Sequence, residues 1–180
     1  MLALVVLVLA CDRRASAPPA PAPGLTVAAD ARPLVHTAEC QRETARLRDQ
    51  LGRATAMTGY AIDPRGYDPD APDAGDGRLR GYPIRARYAL DAAARAELTA
   101  ALLTSVAGGD DASGAPACFD PHHAVHVELP DGALDLIICF ECVQLEIVRP
   151  GEPDTFLLID RSGEGVISRL IRPAVGTGAR

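Results

Sequence analysis

The chain lacks tryptophan and lysine altogether, and aromatic residues make up only 4% of its 180 residues. Its 18 basic residues are therefore all arginines, and 24 acidic residues bring the formal net charge to -6. A negatively charged chain without a basic cluster is not expected to bind nucleic acid. The absence of lysine is typical of a GC-rich coding sequence and says nothing about mechanism.

The N-terminal apolar run, residues 1–10, is too short to cross a bilayer as a helix, which takes about 20 residues. It is typical instead of the core of a signal peptide, although no basic residue precedes it. The small residues before Cys11 resemble the lipobox of bacterial lipoproteins, in which the cysteine becomes the lipidated first residue of the mature protein. This resemblance implies a lipid anchor at Cys11 and a place in the bacterial cell envelope, facing the periplasm or the exterior.

A change of composition divides the remainder of the chain. Residues 11–33 are rich in proline and alanine, so we expect a lipid anchor followed by a semi-extended tether that does not fold. Residues 34–180 are of ordinary size for one globular domain. The sequence therefore predicts a signal peptide at 1–10, a tether at 11–33 and one domain.

Hydrophobic periodicity and turn residues predict an α+β fold. We expect an antiparallel sheet of about four strands, with two or three helices on one face and the other face exposed to water. Proline and glycine mark residues 63–81 as a long surface loop. Helices are predicted over residues 34–57, 91–106 and 163–172, and Asp91 is expected to be the N-cap of the second. Strands are predicted over residues 83–90 and 156–160, and along both arms of a hairpin around residue 131.

The hairpin is predicted from Asp131-Gly132, a strong signal for a two-residue turn between two apolar runs. In that register Pro130 pairs with Ala133, and residues 121–124 lie opposite residues 139–142. The hairpin would thus bring two motifs together, Cys118-Phe-Asp-Pro-His122-His123 and Cys139-Phe-Glu-Cys142. The alternation of apolar residues reverses its phase beside Cys139 to Cys142, which requires a bulge or a tight turn there.

A local kink of this kind can direct the sulfurs of Cys139 and Cys142 to one point. The first interpretation of the cysteines and histidines in the two motifs, called the cluster below, is a structural zinc-type site. Its ligands would come from Cys118, His122, His123, Cys139 and Cys142, because cysteine and histidine on two turns form tetrahedral zinc sites.

The second interpretation is a disulfide, because thiols outside the cytoplasm tend to be oxidised. The predicted register makes Cys118 with Cys142 the easiest pairing. A Cys139–Cys142 bridge would be a strained, reducible Cys-x-x-Cys pair, which suggests thiol-disulfide exchange, although no neighbouring positive charge lowers a thiol pKa.

A third interpretation leaves the cysteines as small core residues and the histidines as polar residues at the start of a strand. His126 lies on the polar face with Glu128 and Asp135 and is predicted to be solvated. His36 and Cys40, four residues apart on the first helix, form a weaker candidate ligand pair.

The motif residues also carry a resemblance. This part of the chain resembles an uncharacterised family of small bacterial exported proteins and lipoproteins. The resemblance covers the run from Cys118 to Ala124, an Asp-Gly turn, and the run Asp135-Leu-Ile-Ile-Cys139-Phe-Glu-Cys142. The family pattern is Cys-Phe-x-Pro-(Arg/His)-His followed by Ile-Cys-Phe-Glu-Cys. Arginine is the frequent family residue at the position of His122, which favours His123 as the ligand. The resemblance implies an exported Cys/His site without assigning an activity.

The sequence therefore predicts a non-catalytic envelope protein, tethered to the membrane by its lipid, whose cluster binds zinc or is disulfide-bonded. The alternative is an envelope enzyme. It would be either a thiol-disulfide oxidoreductase acting through Cys139 and Cys142 or a metal-dependent hydrolase with Glu141 as its base.

Overall fold

The computed structural model describes residues 38–71, 77–109 and 119–172. In these ranges no helix has the length and apolar character needed to cross a membrane. Along the chain the elements are α1 (Ala38–Gly52), β1 (Ala56–Ile62), a 3₁₀ turn (Pro64–Gly66), β2 (Arg78–Leu79), β3 (Tyr82–Ala89), α2 (Ala92–Gly108), β4 (His123–Leu129), β5 (Gly132–Cys139), β6 (Gln144–Val148), β7 (Thr155–Leu158) and α3 (Glu164–Leu170).

The fold is mixed α and β with an antiparallel sheet, as the sequence predicts, but the prediction of about four strands is wrong. The described residues form a sheet of seven strands in the order β2-β3-β1-β4-β5-β6-β7. β1 falls partly in the predicted first helix and contains Gly59, which hides its strand pattern. β2 lies within the predicted surface loop, and β6 follows the break in phase that the sequence predicts as either a bulge or a tight turn.

One face of the sheet carries the main hydrophobic core, and all three helices pack on it. On the central strands Val125 lies opposite Leu136 and Val127 opposite Leu134, so these side chains share a face. They form one buried cluster with Ile171, which caps α3, and with residues from each helix, namely Leu47, Leu51, Leu98, Ala101, Leu102, Val106 and Ile167. Asp91 accepts a hydrogen bond from the N–H of Ala94 at 2.8 Å and caps α2 as predicted.

The opposite face is partly covered, because the β2–β3 hairpin folds over it. Arg80 and Gly81 form the two-residue turn, both at positive φ (50° and 80°), as a tight hairpin of this type requires. A second, smaller hydrophobic cluster lies beneath the hairpin and consists of Tyr60, Ile62, Tyr82, Ala124 and Ile137 with Leu79, Ile84 and Phe119 packed against it.

The prediction that this face is open to water is therefore wrong for Asp135, which is buried. Arg80 reaches across from the hairpin turn, and its Nε donates to Asp135 Oδ2 at 2.7 Å. The sequence could not anticipate this cover, because the residues that provide it lie in the predicted surface loop.

The predicted register of the β4–β5 hairpin is wrong by two residues. Leu129 lies opposite Gly132, so the two turn residues are Pro130 and Asp131 instead of Asp131 and Gly132. Proline favours the first central position of an ordinary turn, because its φ is fixed near -65°. Gly132 uses its conformational freedom (φ 154°) to begin β5. A shift of two residues leaves every side chain on its predicted face.

Gly109 caps α2 where the chain passes close to the end of β7. A Cβ at this position would lie 2.2 Å from the carbonyl oxygen of Leu158. Gly109→Ala is therefore expected to lower the free energy of unfolding by about 2 kcal/mol, because backbone must move to admit the methyl group. Urea denaturation checks this, with Gly52→Ala as the control.

Gly52 ends α1, and a Cβ there would meet nothing within 4 Å. Its substitution should leave stability unchanged or raise it by up to about 1 kcal/mol. Equal losses in the two variants would contradict the close approach of α2 and β7.

Candidate functional site

The Cys-Phe-Glu-Cys motif forms the turn between β5 and β6. Cys139 ends β5 and pairs with Gln144 at the start of β6, which leaves Phe140 to Val143 as the turn. The predicted kink is thus confirmed as a tight turn. Val143 closes the turn at φ 50°, a left-handed conformation that a β-branched residue rarely adopts. The adjoining backbone is therefore held under local strain.

The turn joins its two cysteines in a disulfide, Cys139–Cys142, with their Cα atoms 5.1 Å apart. Cys139 is 1% exposed and Cys142 is completely buried. In a straight strand residues 139 and 142 would point to opposite faces, so the turn is what brings the two sulfurs together. A Cys-x-x-Cys disulfide of this kind suggests thiol-disulfide exchange, but here both sulfurs are out of contact with solvent.

Each sulfur accepts a hydrogen bond from the backbone. The N–H of Cys142 donates to Cys139 Sγ at 3.1 Å, and the N–H of Asp120 donates to Cys142 Sγ, also at 3.1 Å. Asp120 belongs to the first motif, so the two motifs do meet in space. They meet through the main chain and not in the predicted register, since His123 lies opposite Ile138 and not opposite Phe140.

The two histidines of the first motif lie in different surroundings. His123 is buried on the helix side of the sheet, where its Nε2 lies 3.3 Å from Ser168 Oγ and its ring contacts Phe140 edge-on. Cys139 follows Ile138, a helix-side residue, and so points to the other face. His122 is exposed, with Nε2 3.9 Å from Asp120 Oδ2.

The environment of His123 favours its neutral form. Its pKa is lowered to about 4, chiefly by burial and also by the nearby His122, while Glu164 acts in the opposite direction. A neutral, buried imidazole that contacts a serine hydroxyl and an aromatic ring is suited to packing between α3 and the sheet.

Three predicted site residues, Cys11, His36 and Cys118, lie outside the described residues. Lipid attachment, the pair of His36 with Cys40 and the Cys118–Cys142 disulfide therefore stay predictions. Cys40 lies on α1 and packs against the helix-side core. Between residues 38 and 172, in the part that is described, no group of three or more histidine, cysteine or acidic side chains is arranged to hold a metal ion.

The sequence analysis missed a polar cluster on the covered face. His126 was expected to be solvated, but its Nδ1 lies 2.7 Å from Asp135 Oδ1, and Asp135 also accepts from Arg80. The two strand residues lie directly opposite each other in the β4–β5 ladder, so a correct register would have revealed their contact. Arg80 comes from a distant hairpin and left no local signal.

Comparisons of the chain with protein-family models, with curated protein sequences and with solved structures found no match.

Proposed function

We propose that this chain is a lipid-anchored, non-catalytic domain of the bacterial cell envelope whose fold is stabilised by the Cys139–Cys142 disulfide. The buried disulfide is the observation that carries the proposal. Disulfides persist in oxidising compartments outside the cytoplasm and are rare inside it. An oxidised pair in the core of the domain thus supports the export that the N-terminal run and Cys11 predict.

A structural role for the disulfide is favoured over an oxidoreductase role by its inaccessibility. Thiol-disulfide exchange requires a thiolate to reach a sulfur of the disulfide. With Cys142 completely buried and Cys139 at 1% exposure, neither sulfur offers that access. The disulfide instead closes the β5–β6 turn, next to the left-handed Val143. Holding this turn is a contribution to stability that requires no turnover.

The zinc-type site is the competing proposal, and it requires the same two sulfurs as thiolates. It would also require Cys118 or a histidine to approach them. His123 lies on the opposite face of the sheet, which leaves His122 and Cys118 as the remaining predicted ligands. The hydrolase version would use Glu141, an exposed carboxylate on the turn. The disulfide proposal explains the described geometry without any rearrangement.

Expression of the full chain in a bacterium that processes lipoproteins tests the anchoring. The chain should sediment with membranes, and mass spectrometry should find lipid on Cys11. Cys11→Ser should move the protein to the soluble fraction, whereas Cys40→Ser, the matched control, should not. Membrane association that survives Cys11→Ser unchanged would contradict the anchor.

Elemental analysis of the same preparation separates the two proposals for the cluster. We expect the purified chain to contain no stoichiometric zinc. About one zinc per chain, together with reduced Cys139 and Cys142, would instead establish the metal site.

A further inference from the structure

A cavity of about 260 Å³ opens on the sheet face opposite the helices. It lies between the tip of the β2–β3 hairpin, the loop that follows the 3₁₀ turn, and strand β6. The side chains that matter for its chemistry are Tyr67, Arg80, Tyr82, Glu146 and Asp154. The volume is just below the usual range for ligand pockets, about 300–1,000 Å³, so it suits a molecule no larger than a single amino acid.

One wall of the cavity is acidic. Glu146 stands in the middle of β6 between apolar neighbours, opposite Ile137 on one side and Phe156 on the other. It has no hydrogen-bond partner among the described residues. Its pKa is raised to about 7, chiefly by burial and also by the charge of Asp154, while Arg80 acts in the opposite direction. A half-buried carboxyl group without a protein partner is available to pair with a cationic group that enters the cavity.

A second wall carries one fixed positive charge. The Nε of Arg80 is bonded to Asp135, whose other oxygen contacts His126, so the guanidinium is anchored at one edge. Within the described chain its terminal nitrogens have no hydrogen-bond partner. These two nitrogens present the planar fork that pairs with a carboxylate. The hairpin turn at Arg80-Gly81 holds the backbone from which this side chain projects.

The third wall is aromatic. The rings of Tyr67 and Tyr82 lie 4.5 Å apart between centroids and are tilted by 31°. Tyr67 is 49% exposed, and it is the one exposed large hydrophobic residue in the described part of the chain. An exposed aromatic ring at the rim of a charged cavity provides apolar contact area and a surface that attracts cations.

We propose that this cavity binds a small zwitterion of the amino-acid type, with its carboxylate on Arg80, its ammonium group between Glu146 and Asp154, and its aliphatic part against Tyr67. The presence of both charges in the cavity favours a ligand that carries both a carboxylate and an ammonium group. A simple cation would meet the positive Arg80, and a simple anion would meet two acidic residues. The binding site is independent of the state of the cysteines and of the lipid anchor.

A set of matched probes tests the proposal on the purified full chain by isothermal titration or ligand-observed NMR. Norvaline and 5-aminopentanoate carry both charges, at short and long spacing, whereas butylamine and pentanoate carry one charge each. At least one of the zwitterions should bind with a dissociation constant of about 1 mM or tighter, and at least about tenfold tighter than both single-charge probes. The absence of binding by either zwitterion, or equal binding of butylamine or pentanoate, overturns the proposal.

Isosteric substitution identifies the residues responsible. Glu146→Gln should weaken the affinity for the zwitterion by about tenfold or more, because the ammonium group loses a charged partner. Glu141→Gln, the same change at an exposed position on the β5–β6 turn, should have no effect. Arg80→Gln should weaken binding similarly, and circular dichroism checks that the hairpin still folds. Unchanged affinity in Glu146→Gln contradicts the assignment whatever the Arg80 variant does.

The affinity should also depend on pH through Glu146. The charged and titratable groups around it are Arg80 and Asp154, with Tyr67 and Tyr82, whose pKa values are raised by burial. A carboxyl group with a pKa of about 7 goes from about one tenth to about nine tenths ionised between pH 6 and pH 8. Binding should therefore tighten by up to about tenfold over this interval, and Glu146→Gln should remove the trend. A wild-type affinity that does not rise with pH overturns the role of Glu146.

Discussion

Replacing both Cys139 and Cys142 with alanine is expected to lower the free energy of unfolding by about 4 kcal/mol. Closing a four-residue loop in the unfolded chain accounts for about 2 kcal/mol in the chain-entropy model. The remainder comes from the loss of two buried sulfur atoms, at about 1 kcal/mol each for the packing contacts they leave behind. The left-handed Val143 would also lose the cross-link beside it.

Urea denaturation followed by circular dichroism measures this loss. Reductant, which reaches the disulfide in the urea-unfolded chain, should lower the free energy of unfolding of the wild type by about 2 kcal/mol. This is the entropic part alone, because both sulfur atoms stay in the chain. Cys40→Ala is the matched control, a single cysteine-to-alanine change in a half-buried helical position. If the double variant is as stable as the wild type, the disulfide does not stabilise the turn.

Acidification from about pH 6.5 to about pH 4 is expected to cost up to about 3 kcal/mol through His123 alone. The folded-state pKa of His123 is lowered to about 4, chiefly by burial between α3 and the sheet. The unfolded chain, with an ordinary histidine pKa, takes up a proton throughout this interval while the folded chain does not. Stability is therefore lost as the pH falls, and the loss is complete near the folded-state pKa.

The variant His123→Gln isolates this effect, because its amide can still contact Ser168 but does not titrate. The difference in stability between wild type and variant should grow as the pH rises from about 4 to about 6.5. His122→Gln, an exposed neighbour, should keep the wild-type profile. Glu146 has the opposite effect on the pH dependence of stability, because its raised pKa makes stability fall as the pH rises towards 7. This effect is the same in the wild type, His123→Gln and His122→Gln, so it cancels in the comparison. Parallel profiles for wild type and His123→Gln would contradict a buried neutral imidazole.

Local chemistry made several elements predictable. Asp91 marked the start of α2, and alternation along β4 and β5 assigned each side chain to its face even though the register was wrong by two residues. The reversal of phase located the turn at Cys139 to Cys142. In each case the signal lies within a few residues of the structure it predicts.

The features that were missed depend on contacts between distant parts of the chain. Gly59 interrupts the pattern of β1 because a Cβ there would lie 2.6 Å from Ile171, which is more than 100 residues away in sequence. Arg80 sits in a segment dominated by turn residues, and only the fold of the β2–β3 hairpin carries it to Asp135. The choice of Cys139 as the partner of Cys142 likewise follows from the turn geometry, which sequence spacing alone left undecided.

Differential alkylation with mass spectrometry tests the state of the two sulfurs most directly. Protein purified from an extracytoplasmic compartment is labelled with iodoacetamide under denaturing conditions, reduced, and then labelled with N-ethylmaleimide. We predict that Cys139 and Cys142 both carry the second label, and that the unreduced peptide containing them shows a bond between these two residues. Iodoacetamide on either residue, or a bond from Cys142 to Cys118, would contradict the disulfide on which the proposed function rests.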